Sequence, residues 1–354
     1  MRDIANPMPA FPAHTPLAVA TRGDTVESIH FGSVAVVDAA GRVRFSCGDA
    51  AATAFTRSAL KPLQALPFVR DGGVEHYGFE PRHVALMCAS HAGEPRHVAA
   101  VAEMLKRAGS TPDDLACGTH APTFYEARGE RPPPPPYSPL AHNCSGKHAG
   151  MLACCALHGW TGRDYIGFDH PLQEEIRTAV ADFTGIPVDA LLPGVDGCSA
   201  PNYAVPISAL ARAFARLATA EGDDPRYGRA PARLRDAMVA HPEMVSGEGR
   251  SDLTLAAAGG GDWVPKVGAE GVQAIGIRSR GLGIVVKIAD GSKRGLFPAV
   301  VAVLDQLGLL DDDRRRRLDA IAAPAIRNYR GTPTGRIAPV LVLDSHRQPS
   351  HALP

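Results

Sequence analysis

An excess of charge of either sign is the first thing missing from this chain: 37 Lys plus Arg stand against 37 Asp plus Glu, a formal net charge of zero. That balance excludes a general nucleic-acid or anionic-membrane binder, which needs surplus basic residues. Aromatic side chains make up only 6% of the residues, too few for base-stacking platforms. No stretch approaches the roughly 18 uninterrupted apolar residues of a membrane span. The opening MRDIANPMPAFPAHTPLAV has no continuous apolar run and carries three prolines before Thr15. It does not read as a secretory signal, so a cytoplasmic location is expected. Internal repeats are absent, and the only low-complexity stretch is Pro132–Pro136, expected as an extended surface loop. Cys47, Cys88, Cys117, Cys144, Cys154, Cys155 and Cys198 form an odd, irregular set. No disulfide framework is expected, and most of these thiols read as small buried hydrophobes.

What the chain does have is apolar mass. Hydrophobic residues make up 45% of 354, enough for a large core in one α/β domain or two domains. Short Val- and Ile-rich runs at Pro16–Arg22, Val26–Phe31, Ser33–Ala39 and Val43–Cys47 predict strands, with a hairpin at Ala40-Gly41. Helical patterns then dominate to about Ala257, clearest at Pro95–Ala108, Lys147–His158, Pro171–Thr184, Pro206–Ala218 and Pro231–Ala240. Strands return at Trp263–Val267, Val272–Arg278 and Leu282–Ala289. A helix over Lys293–Leu307 and a last strand over Ala338–Leu343 follow. The expected fold is α/β, an antiparallel sheet built from the N- and C-terminal segments with a helical lobe between them. The sheet is expected from about 16–50 and 263–343 and the helical part from about 51–262, with a site in the cleft between.

Chemistry concentrates in a few short motifs. Ser58 and Lys61, in Arg57-Ser58-Ala59-Leu60-Lys61-Pro62, share a helical face at i, i+3. Pro62 costs nothing only if it lies within the first four helical residues, which puts Ser58 at the N-cap. A capped helix with a solvated lysine explains the pair without chemistry. A nucleophile–base pair explains it as well, if burial or a nearby cation frees the lysine of its proton. Ser-x-x-Lys at a helix start with Lys266-Val267-Gly268 far downstream on a strand is the arrangement of serine β-lactamases and penicillin-binding proteins.

Ser90 and His91, in Cys88-Ala89-Ser90-His91-Ala92-Gly93-Glu94-Pro95, stand where they would cap or approach the next helix. His142-Asn143-Cys144-Ser145-Gly146-Lys147-His148 is denser in reactive types. Its Ser-Gly-Lys lacks the upstream glycine of a phosphate loop, and nucleotide binding is rejected. Asp196-Gly197-Cys198 adds a thiol beside a carboxylate. Cys144 and Cys198 can hold zinc, but two cysteines alone do not make a site, and His91, His142 and His148 are alternative ligands.

Taken in order, these five motifs, the last extended to Lys266-Val267-Gly268-Ala269-Glu270-Gly271, resemble the rhizobial-type L-asparaginase II family from about Pro16 to Leu343. The resemblance implies a single catalytic domain over 16–343 with a serine β-lactamase-like fold, and a homodimer. It implies hydrolysis of L-asparagine to L-aspartate and ammonia, with neither nucleic acid nor membrane as partner. Two Ser–Lys tandems are implied, Ser58 with Lys61 and Ser90 with Lys266, as is zinc on Cys144, Cys198 and Lys147. All seven positions hold the expected residue type. Arg57, His148 and Asp196 are the expected substrate-binding supports. The rival expectations are a β-lactamase- or peptidase-like hydrolase of another amide, and a catalytically silent amide- or metal-binding relative.

Overall fold

The computed structural model describes residues 11–346. Strands β1 (Thr15–Arg22), β2 (Thr25–Asp38) and β3 (Val43–Cys47) open the chain. Strands β4 (Thr53–Phe55), β5 (Leu192–Val195) and β6 (Pro201–Pro206) form a small separate sheet. Strands β7 (Trp263–Gly268), β8 (Val272–Ile277), β9 (Leu282–Ile288), β10 (Ala325–Arg327) and β11 (Pro333–Pro339) return to the main one. The main sheet runs β10-β11-β1-β2-β9-β8-β7, with every pair antiparallel and β3 pairing alongside β2. It is therefore built from both ends of the chain, as the sequence pattern predicts.

Alternation along the strands sends side chains to two cores. Val34 and Val36 of β2, Ile284 and Val286 of β9 and Ile275 of β8 pack with Leu296, Val300 and Leu304 of the helix Lys293–Gln306. Ala35, Val37, Val285 and Ala274 face the helical lobe through Leu210 and Phe214 of the helix Ile207–Thr219. Gly276 and Gly283 make that second contact close: a Cβ at either would run into backbone carbonyls of Phe214 and Ala211.

Four expectations change. The predicted runs Val26–Phe31 and Ser33–Ala39 are one strand, because Gly32 is not a turn. It pairs with Ile288, where a Cβ would collide with the Lys287 carbonyl. In place of a strand over Ala338–Leu343, β11 stops at Pro339, and a two-residue strand, Asp344–Ser345, follows and pairs with β3. A helix over Asp312–Ala322 went unforeseen, since Leu318 is its one fully buried side chain. The stretch 51–262 is not all helical, because β4, β5 and β6 fold inside it. Those strands are only 3–6 residues long and two of them contain proline.

All seven cysteines are buried and unpaired, and Pro132–Pro136 is exposed. Among the described residues no helix is long and apolar enough to cross a membrane.

Candidate active site

The site forms where the edge strand β7 meets the helical lobe. After β4 the chain makes a 3-10 turn over Arg57–Leu60 and enters the helix Lys61–Arg70, with Pro62 as its second residue. Pro62 thus sits where a missing N–H costs nothing, but Ser58 is inside the turn and not the N-cap. Its backbone carbonyl accepts the Lys61 N–H, and its hydroxyl caps no helix. Lys61 is 1% exposed. Neither half of the capped-helix-with-solvated-lysine explanation survives.

Arg57, the residue before Ser58, holds φ +48°, a strained value for a side-chain-bearing residue. The buried Asn202 on β6 clamps it from both sides. Its Oδ1 accepts from Arg57 N at 3.0 Å and from Thr56 Oγ1 at 3.2 Å, and its Nδ2 donates to Arg57 O at 3.1 Å. Arg57 Nε donates to Asp196 Oδ1 at 2.8 Å, and Glu270 lies 3.8 Å away. Burial alone would raise the Asp196 carboxyl. The Arg57 hydrogen bond, the Gly197 N–H and the Lys147 charge outweigh it and hold the carboxyl below its ordinary range.

Lys61 does not donate to Ser58. Its Nζ donates to Ala89 O at 2.6 Å and to Ser90 Oγ at 2.9 Å. Lys266, fully buried on β7, donates to the same Ser90 Oγ at 2.9 Å and to Val267 O at 2.9 Å. Ser90, 3% exposed, is therefore the meeting point of both lysines, while half-buried Ser58 has no side-chain hydrogen-bond partner among the described residues. Ser90 caps nothing; Glu94 and His97 form the capping box of the helix Pro95–Arg107. Burial pushes Lys266 down to about 8, Lys61 and Arg250 push in the same direction, and Asp252 opposes them.

A second cluster adjoins the first. Lys147, at the start of the helix Ser145–His158, donates to Cys198 Sγ at 2.8 Å. The Cys144 thiol sits well below its ordinary pKa, because a hydrogen bond with Cys198 and the positive charge of Lys61 and Lys147 outweigh burial. Burial opposes the charge on Lys147, but Cys198 and Cys144 outweigh it and raise its pKa. Cys198 thus meets both the Lys147 amine and the Cys144 thiol, all three buried. Two thiolates are ligands of the kind zinc takes, and the amine can join them only after losing its proton. His148 lies behind them, fully buried. Its Nδ1 pairs with Tyr165 OH at 2.6 Å, and burial together with Lys147 brings it down to about 4. His142 uses Nδ1 to accept the Cys144 N–H at 3.0 Å, and His91 Nε2 pairs with Ser145 Oγ at 2.9 Å.

The structure thus brings Lys61, Ser90 and Lys266 together, then Cys144, Lys147 and Cys198, then Arg57 and Asp196. His148 adjoins Cys198 and Tyr165. Sequence reasoning missed Asn202 and Asp252, both buried and both bonded to the segments that carry these residues. Neither carries a motif: Asp252 looks like an ordinary acidic residue in a helix's first turn.

The family described as L-asparaginase II matches this chain over residues 18–339. No curated protein matches it. Among solved structures the chain is similar to a β-lactamase from Mycobacterium bovis at 16% identity. That likeness covers 78% of this chain and 94% of the other, with a TM-score of 0.40.

Proposed function

The chain belongs to the L-asparaginase II family, and from that premise we propose that it hydrolyses the side-chain amide of L-asparagine to L-aspartate and ammonia. The observation that carries the reading is the convergence of two buried lysine amines on Ser90 Oγ, with Lys61 one turn from Ser58. Ser58 is the nucleophile, since its hydroxyl is free and half-buried, whereas Ser90 is almost inaccessible and accepts from both amines. A neutral Lys61 has two N–H groups. Both are used, on Ala89 O and Ser90 Oγ, which leaves its lone pair to take the Ser58 proton once the two side chains come within hydrogen-bond reach.

Attack forms the Ser58 Oγ–carbon bond. Collapse of the tetrahedral adduct breaks the carbon–nitrogen bond, and the nitrogen leaves as ammonia with the proton from Lys61. Water then adds to the aspartyl ester, and Ser58 recovers a proton through Lys61. Ser90 and Lys266 hold the amine in place and pass protons behind it. Backbone N–H groups of the turn at Ser58 steady the oxyanion. Arg57 and Asp196 form a charged pair suited to the carboxylate and ammonium of the substrate.

Cys144, Cys198 and Lys147 would hold zinc, which when bound supplies Lewis acidity and a fixed point for orienting substrate. Lys147 must shed its proton to serve, so metal uptake should release protons. Purified protein is expected to carry about one zinc per chain, and a Cys144→Ala/Cys198→Ala variant to lose it, as read by elemental analysis. Full zinc retention by the variant would remove the ligand assignment.

A homodimer in the cytoplasm completes the reading, and light scattering tests the dimer. The direct test of function is a coupled ammonia assay with L-asparagine and L-glutamine side by side. Asparagine is expected to be the better substrate. Turnover of a chromogenic β-lactam with no ammonia from asparagine would replace this reading with that of a β-lactam hydrolase.

A further inference from the structure

Lys266 is held from a side that the reaction itself does not explain. Asp252 lies in the first turn of the helix Ser251–Gly259 and is 2% exposed. Its Oδ2 accepts the Val267 N–H at 2.9 Å and stands 3.6 Å from Lys266 Nζ. Its Oδ1 accepts from Gln273 Nε2 at 3.1 Å, and Gln273, fully buried on β8, lies directly across the ladder from Val267. A carboxylate buried this deeply is costly unless it is both paired and hydrogen-bonded, and here it is both.

The three hydrogens of a Lys266 ammonium have three acceptors around them: Ser90 Oγ, Val267 O and, at the longer distance, Asp252 Oδ2. We propose that Asp252 is the positioning residue that aims the Lys266 amine at Ser90, with Gln273 steadying the carboxylate from the neighbouring strand. The inference rests on the reading of Lys266 as part of the proton-handling machinery.

A purely structural Asp252 would pin the helix Ser251–Gly259 to β7 through the Val267 N–H and do no more. The two roles differ in what they do to the Lys266 proton. The titratable and charged groups facing Lys266 are Lys61 from the helix Lys61–Arg70, Arg250 from the start of the helix Ser251–Gly259, Cys144 ahead of the helix Ser145–His158, and Cys88 after the helix Pro81–Met87. Asp252 adds the one carboxylate to this set, and it favours the charged amine while burial disfavours it, as do Arg250 and, whenever it carries its proton, Lys61.

Removing its charge should therefore move the Lys266 titration to lower pH. Removing Gln273 should move it the other way, since a carboxylate with one fewer donor attracts the ammonium more strongly. Asp252→Asn keeps the shape. Gln273 Oε1, which has no partner as the side chain stands, can turn to accept from the new amide.

The experiment labels lysine with 13C at Cε and follows Lys266 by NMR across pH in wild type, Asp252→Asn and Gln273→Leu, with Lys266→Arg giving the assignment. The pH dependence of kcat/KM on L-asparagine is measured alongside. Asp252→Asn is expected to lower the Lys266 midpoint by about one pH unit and Gln273→Leu to raise it by a few tenths of a unit. The kinetic limb should shift in step with each. Folded variants that both titrate at the wild-type pH overturn the proposal, and so do shifts in the same direction. Because the NMR signal needs no turnover, opposite shifts without ammonia release would sink the asparaginase reading and leave this one standing. Asparagine turnover with an unmoved midpoint would do the reverse.

Discussion

Ser58→Ala is expected to cut asparagine-dependent ammonia release by about 10⁴-fold or more, because loss of a nucleophile leaves only binding and oxyanion contacts. Ser90→Ala should cost less, about 10²–10³-fold, as expected for a group that positions or relays rather than bonds to substrate. The order follows from accessibility and hydrogen-bond inventory. Ser58 is half-buried with a free hydroxyl, whereas Ser90 is sealed in and occupied by Lys61 and Lys266. Lys61→Met should fall with Ser58→Ala, and combining the two should add little, since they act as one unit. Initial rates by the coupled assay measure this. Mass spectrometry of the quenched enzyme locates the aspartyl ester, on the peptide containing Ser58 if the assignment holds. An ester on the Ser90 peptide, with Ser58→Ala still active, would exchange the two serines.

These predictions lean on features that were unevenly legible in the sequence. The Ser-x-x-Lys spacing and Pro62 placed the pair at a helix start, correctly to within a turn. What they did not carry is where the Lys61 amine points. It crosses to Ala89 and Ser90, 28 and 29 positions away, and that choice is made by the packing of the helix Lys61–Arg70 beside the segment after Pro81–Met87. Lys266 was legible through the Lys-x-Gly ending of a strand, and Gly268 has a physical reason: a Cβ there would press on the Thr56 carbonyl and on Val272.

Cys144, Lys147 and Cys198 came from family resemblance, because Cys198 is brought to Lys147 only by the loop between β5 and β6. That small sheet was itself missed: β4 has three residues, and the prolines of β5 and β6 read as loop or as the start of a helix. The main sheet was legible because its strands are Val- and Ile-rich runs set off by Gly-containing turns, several of them buried on both faces. Where this pattern was read too literally, Gly32 split one strand in two. Asn202 and Asp252 were invisible for a different reason. A buried polar side chain that serves backbone groups looks, in sequence, like any turn or cap residue.

The second large effect concerns Lys266 and pH. Burial, reinforced by Lys61 and Arg250, pushes this amine down to about 8 from its ordinary 10.5. If the neutral amine is the working form, the active fraction grows as pH rises through about 8, so kcat/KM should climb with pH to a plateau above it. A group required in its charged form would give the opposite slope, falling across the same window. Lys266→Met should lower the rate by about 10²–10⁴-fold and erase that limb. Lys266→Arg should be no better, because a guanidinium keeps its proton throughout the accessible range. The pairing of a lost limb with a lost rate separates a proton-handling lysine from one that merely fills space. A Met variant that loses rate yet keeps the wild-type rise near 8 would assign the limb to another group. The limb belongs to the free enzyme when read in kcat/KM and to the substrate complex when read in kcat. A bound asparagine ammonium nearby disfavours a second positive charge, so the kcat limb should lie at lower pH than the kcat/KM limb. Equal midpoints would place the substrate ammonium too far from Lys266 for the Arg57–Asp196 end of the site and the Ser90 end to share one ligand.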